Sequence, residues 1–327
     1  MGDVLKIFDL HQDLSTYILS EIKQIDLDKD LERHCDIPKY RKAGVKALVG
    51  AVFPARILVG KDLSKYYSFK NSFEESFNHI LTYYKIIRKH RGVFKLILSK
   101  RDLNRVFMDK IRIIGIILGL EGCYSIREID DLDIYYNLGV RLIGLTWNYD
   151  NQYASGCMSK RDYGLTDLGF QLLDKAFELG LVVDLAHASY KTMIDVLTTF
   201  NKPVTVSHTG LKKFKDSPRN ISDEIIDLVK RNNGVVGVFF VSNYIAGENT
   251  TVDHVVEQIM YIVDNFGVDV VALGSDYFGT DKLPRGLENI GLINNLVNRL
   301  IERGLDKESV EKIMYRNALR VFNENMK

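Results

Sequence analysis

Six residues of this 327-residue chain combine the types and the spacing that metal-assisted chemistry needs. His11 and Asp13 stand two apart where the apolar run Ile7-Phe8-Asp9-Leu10 ends. Side chains at i and i+2 of a strand point the same way, so an imidazole and a carboxylate share one side of a strand end. Together they are ligands for a borderline or hard cation. The same event recurs along the chain. Glu121 ends the run 113–120, His187 ends 181–186, His208 ends 203–207, and Asp276 follows 268–273 after Gly274-Ser275. The other histidines, His34, His79, His90 and His254, fall in helices or connections and read as surface or packing residues. Three histidines and three carboxylates exceed the needs of one tetrahedral site. They suit a pair of cations bridged by a central carboxylate such as Glu121, about 3.5–4 Å apart. Such a pair brings the pKa of a shared water near neutrality and polarises the bond under attack. Asp276 would take that water's proton and pass it to the leaving group, unless it serves as a sixth ligand or a turn residue. Arg219, in Asp216-Ser217-Pro218-Arg219-Asn220, is a cation that could grip a substrate carboxylate bidentately. Against this stands the ordinary state of a loop arginine, which is to be solvated.

These residues need a scaffold that brings many strand ends to one place. The apolar runs predict eight strands, over 4–10, 45–53, 113–120, 140–146, 181–187, 203–208, 234–240 and 268–273. The run 113–120 is near-continuously apolar, as a parallel strand buried on both faces should be. Helical spacing falls between and after the strands, with helices expected over 73–90, 167–179, 252–266, 287–303 and 307–323. In the first, Phe73, Phe77, Ile80, Leu81, Tyr84 and Ile87 predict the packed face. Thr166 and Gly180 bracket the second as cap and stop. Strands alternating with helices predict an α/β fold, a (β/α)8 TIM barrel forming one domain over 1–327, with a helical insertion after the second strand and helices at the C-terminus. In such barrels the C-terminal strand ends carry the active site. A doubly wound open sheet would want a glycine-rich phosphate turn after the first strand, and none is present.

Composition excludes several partners. Lys and Arg total 44 and Asp and Glu 43, a net charge of +1, so no strong field draws nucleic acid or an anionic membrane. No apolar run approaches the ~20 residues of a membrane helix. The first residues carry no signal-peptide apolar region. Cys35, Cys123 and Cys157 are odd in number and form no CxxC, which predicts buried thiols in a reducing compartment. A soluble cytoplasmic protein is expected, with a homodimer as a candidate assembly.

The chain resembles the membrane (renal) dipeptidase family of zinc dipeptidases. The resemblance runs nearly end to end. It is carried by Asp9-Leu10-His11-Gln12-Asp13, Gly119-Leu120-Glu121-Gly122, Gly164-Leu165-Thr166-Asp167-Leu168-Gly169, Asp184-Leu185-Ala186-His187-Ala188-Ser189, Ser207-His208, Arg219-Asn220 and Gly274-Ser275-Asp276-Tyr277-Phe278-Gly279. It implies a (β/α)8 barrel with two zinc ions, one held by His11, Asp13 and Glu121, the other by Glu121, His187 and His208. It further implies Arg219 on the substrate carboxylate, Asp276 as the proton-transfer residue, and dipeptide substrates, in some members with a D-residue at the C-terminal position. Leu10 replaces the family's usual Gly. Trp147 stands where better-known members carry a His that contacts the substrate, so Trp147 and its neighbour Asn148 are candidate substrate-binding residues.

Three functions compete. A dizinc dipeptidase leads. An amidohydrolase-type enzyme would keep the metals and act on a lactam, a cyclic amide or an ester. Some relatives bridge their metals with a carbamylated Lys at the end of the fourth strand; here that strand ends in Trp147, which favours Glu121 as bridge. A metal-retaining binding protein is the third reading, and the presence of both Asp276 and Arg219 speaks against it.

Overall fold

The computed structural model describes residues 5–20, 26–59, 65–108 and 112–327. Eleven strands are present among them: β1 (Ile7–Gln12), β2 (Val45–Val52), β3 (Arg56–Val59), β4 (Lys65–Ser68), β5 (Phe94–Leu96), β6 (Ile114–Glu121), β7 (Val140–Gly144), β8 (Val182–Asp184), β9 (Thr205–Thr209), β10 (Val235–Val238) and β11 (Val271–Leu273). Eight of them close a parallel barrel in the order β1-β2-β6-β7-β8-β9-β10-β11, with β11 back beside β1. This is the expected (β/α)8 barrel.

The apolar runs form strands because both of their faces are covered. One face fills the barrel, where Phe8, Leu10, Ala47, Val49, Ile117, Leu142, Val182, Val235 and Ala272 form an interior cluster. Phe107 and Phe322 close the N-terminal end, with ring centroids 5.8 and 5.0 Å from Phe8. The other face packs under the helices.

Several boundaries differ from the sequence reading. β1 begins at Ile7, and Val4 lies outside the described residues. β8 and β11 are short because residues 185–188 turn away and Val268–Val270 forms a 3-10 turn. The last helix runs from Lys307 to Asn325 through one π turn at Lys312–Arg316. The insertion after β2 is more than helical, since β3 and β4 form an antiparallel hairpin before the helix Ser72–Lys89. That helix packs Ile80 as expected, with Phe73, Phe77 and Ile87 half-buried against the core, but its buried face is shifted: Tyr83 and Ile86 are buried, whereas Leu81 and Tyr84 are exposed. Tyr83 can be buried because its hydroxyl donates to Ala51 O at 3.0 Å, which satisfies the polar end of an otherwise apolar ring. No helix among the described residues is long and apolar enough to cross a membrane.

Candidate active site

Two β-bulges build the site. Against β2, the pairing slips between Asp9 and Gln12, where three residues of β1 oppose two of its partner. Against β10, it slips between Val206 and Thr209 of β9 in the same way. A bulge inserts a residue and re-aims the side chain beside it. Phe8 and Leu10 fill the barrel, yet the neighbouring His11 also turns inward, at the barrel mouth. His11 and His208 meet there with stacked rings, centroids 3.7 Å apart.

Backbone strain places two more groups. His187 and Asp276 have φ of 64° and 62°, in the left-handed region that non-glycine residues seldom occupy. The loop after β11 is tied to β1 by Asp276 N donating to His11 O at 3.1 Å and Asp13 N donating to Tyr277 O at 2.9 Å. These bonds bring Asp13 and Asp276 to one side of His11.

The six residues singled out in the sequence converge. His11 Nε2 lies 3.2 Å from Asp13 Oδ2, 3.7 Å from Glu121 Oε2 and 3.9 Å from Asp276 Oδ1. The other carboxylate oxygen, Glu121 Oε1, lies 3.2 Å from His187 Nε2 and 3.7 Å from His208 Nε2. Glu121 thus stands between two groups of donors, one oxygen toward each. His34, His79, His90 and His254 belong to neither group. Their ring nitrogens serve Phe278 N, Ser15 Oγ, Asp28 and Thr251 N.

The donor set fits a metal. His187 Nδ1 meets the acceptor Asn148 Oδ1 at 2.8 Å, so it carries the ring hydrogen and leaves the Nε2 lone pair free. His187 Nε2 and His208 Nε2 face each other at 3.0 Å beside the Glu121 carboxylate. Lone pairs and a carboxylate crowded this closely repel unless a cation lies among them. Burial pushes the His187 and His208 pKa values well below the ordinary imidazole range, and His11 and Arg219 add to the effect. Both rings are therefore held neutral, the form that ligates. Burial would lower His11 as well, but Glu121, Asp13 and Asp276 overcome it and raise it to about 10. In the metal-free protein a proton on His11 thus partly balances three carboxylates.

Asn148, a candidate for substrate contact, gives its carboxamide oxygen to His187 Nδ1. Trp147 sits in an aromatic wall, its ring centroid 5.4 Å from Phe53, 4.7 Å from Tyr67 and 5.9 Å from His187. Tyr67 reaches this wall because the β3–β4 hairpin carries it to the barrel mouth. Arg219 is buried, with Nη2 donating to His208 O at 2.9 Å and its guanidinium 5.7 Å from the Phe239 ring. It is therefore not a solvated loop arginine.

Comparison with known proteins supplies the context for this geometry. The chain is 30% identical to an uncharacterized dipeptidase of Schizosaccharomyces pombe, covering 98% of this chain and 80% of that one. It is 28% identical to dipeptidase tcpJ of Claviceps purpurea, over 90% and 70% of the two chains. Among solved structures, a metallopeptidase of Rhodobacter sphaeroides, bound to a phosphinate mimic of the dipeptide L-Ala-D-Ala, superposes with a TM-score of 0.88 at 20% identity over 99% and 100% of the chains. An amidohydrolase of Pseudomonas aeruginosa gives 0.81 at 23% identity over 98% and 97%. These two likenesses establish the shared barrel. Residues 3–327 match the model of the membrane dipeptidases, peptidase family M19, and with almost the whole length matched the chain belongs to that family.

Proposed function

We propose that this protein is a binuclear zinc dipeptidase, in which His11, Asp13 and Glu121 hold one ion and Glu121, His187 and His208 hold the other. The observation that carries the reading is Glu121, whose two oxygens face separate donor groups at 3.2–3.7 Å. Imidazole and carboxylate donors suit zinc. Bound zinc would supply Lewis acidity and bring the pKa of water near neutrality. The chain's own residues do the rest. Arg219 holds the C-terminal carboxylate of the dipeptide, Asp276 takes the proton of the attacking water and returns it to the leaving nitrogen, and the aromatic wall around Trp147 excludes solvent. The reading extends to dipeptides with a D-residue at the C-terminal position, the chirality of the mimic carried by the Rhodobacter sphaeroides peptidase. The free thiols Cys35, Cys123 and Cys157 suit action in the cytoplasm.

Elemental analysis of the purified protein should find about two zinc ions per chain, the number that Glu121 as bridge requires. Hydrolysis of a small dipeptide panel should stop on chelation and return with zinc. Full activity with one metal or none would overturn the binuclear reading.

Arg219→Ala should raise KM chiefly for dipeptides with a free carboxylate, by about 2–5 kcal/mol for loss of a buried charge partner. An amidated dipeptide separates this role from the bond to His208 O. An equal loss on the amidated substrate would make Arg219 a support for His208 only.

Trp147→His should admit larger side chains, because the smaller imidazole opens space between Phe53 and Tyr67. It should also add a limb to the kcat/KM profile near the imidazole pKa of about 6.5, which the indole cannot contribute. Superimposable profiles and unchanged selectivity would place residue 147 outside the reacting region.

A further inference from the structure

Behind His208 runs a chain of hydrogen bonds whose direction is fixed. Asp184, at the end of β8, is 4% exposed. Its Oδ1 accepts from Thr205 Oγ1 at 2.8 Å and from Ser207 N at 2.6 Å, and its Oδ2 accepts from Ser207 Oγ at 2.6 Å. Burial raises its pKa, while the donors of Ser207 and Thr205, together with His11, oppose the rise and favour the anion. A carboxylate only accepts, so the single hydroxyl hydrogen of Ser207 is committed to Oδ2. Ser207 Oγ also lies 2.8 Å from His208 Nδ1. With its hydrogen already used, that oxygen can only accept, and Nδ1 must carry the hydrogen of the neutral ring. The lone pair is left on Nε2, the atom that faces His187 Nε2 and Glu121 Oε1.

The backbone is held as firmly as the hydrogen bonds. A Cβ at Gly274 would lie 1.7 Å from Ser207 O, and one at Gly237 would lie 2.0 Å from it. Only glycine lets the bulged β9 backbone sit this close to β10 and the end of β11.

We propose that Asp184 is a positioning residue: acting through Ser207, it fixes the tautomer of His208 and so makes Nε2 a metal ligand. The proposal rests on the reading of His208 as a ligand. It differs from ordinary support of a histidine in one respect, namely that its polarity can be reversed without changing shape. In Asp184→Asn, the amide oxygen must stay with Thr205 Oγ1 and Ser207 N, which are donors. The amide nitrogen then faces Ser207 Oγ and donates to it. The serine hydrogen turns to His208 Nδ1, and the ring hydrogen moves to Nε2, where it blocks the metal.

The experiment compares Asp184→Asn, Ser207→Ala and the double variant. Imidazole 15N shifts of the metal-depleted proteins read the tautomer, and zinc affinity is read by chelator competition. Asp184→Asn should move the His208 hydrogen from Nδ1 to Nε2 and weaken zinc binding about 10–100-fold, the range for lost outer contacts of a ligand. Ser207→Ala should leave a mixture of tautomers and a smaller loss. The double variant, which has no serine to relay the wrong polarity, should bind zinc more tightly than Asp184→Asn alone. An unchanged tautomer in Asp184→Asn, or losses that simply add in the double variant, would overturn the proposal. His208→Ala tests the underlying reading separately. If it kept the wild-type zinc content, His208 would not be a ligand, whatever the tautomer results.

Discussion

Asp276→Asn should fold, retain its metal and lose about 10²–10⁴-fold in kcat, the contribution typical of a general acid–base group. The backbone tolerates the exchange, because asparagine adopts the left-handed conformation that Asp276 holds at φ 62°. The space tolerates it too. A Cβ at Gly279 would lie 2.2 Å from Asp276 Oδ1 and 2.6 Å from Asp13 Oδ2, so glycine makes room for both carboxylates and the amide has the same outline. Burial raises the pKa of Asp276; His11 and Arg219 oppose the rise, and Asp13 adds to it. That balance suits a base that must accept a proton and release it near neutral pH. Its Oδ1 stands 3.9 Å from His11 Nε2, close enough that Asp276 could share a cation with His11 and Asp13, so proton transfer and ligation are separated by measurement. Measuring kcat and metal content on one preparation decides the matter. If metal were lost in proportion to activity, Asp276 would be a ligand.

The strand ends were legible because a strand covered on both faces leaves an apolar run, and a polar residue that ends such a run stands out. Glu121 after 113–120 and His187 after 181–186 are visible for that reason. The parity of His11 was not. Simple alternation pairs His11 with Asp13, but β1 ends at Gln12 and the inward turn of His11 comes from the bulge against β2. A bulge is a property of two strands paired together, and neither strand's sequence contains it. The aromatic wall was hidden for a related reason. Tyr67 and Trp147 are 80 positions apart, and only the hairpin brings their rings to 4.7 Å. Helix Ser72–Lys89 misled through Tyr83, whose hydroxyl lowers its apparent fitness for a core until Ala51 O is there to accept from it. The bond from His187 to the Asn148 oxygen was hidden in the same way, because the two residues are brought together only by the fold.

Glu121→Gln should have opposite effects on the loaded and the metal-free protein. The carboxylate is buried, which raises its pKa; His11 draws the value down, and Asp13 and Asp276 push it back up. Three carboxylates thus share one buried mouth with His11, at distances of 3.2–3.9 Å from its Nε2. Without metal, carboxylates this close repel or take up a proton, Glu121 being raised to about 8 by burial, and the neutral amide imitates the protonated form at no cost in volume. The metal-free variant should therefore unfold at a temperature equal to or above that of metal-free wild type. With zinc present the order should invert. Wild type gains stability in proportion to the logarithm of zinc concentration over Kd, and the variant, lacking the anionic bridge, gains far less. Activity should fall with it. Losing several kcal/mol of charge stabilisation at the reacting bond corresponds, at 1.36 kcal/mol per tenfold, to about 10³-fold. Thermal unfolding of both proteins, each with and without zinc, reads the crossing directly. If Glu121→Gln bound two zinc ions and gained as much stability from them as wild type, another group would have to bridge the metals. If it instead destabilised the metal-free protein, Glu121 would be holding the barrel mouth together through His187 and His11, and its place between the two donor groups would be structural.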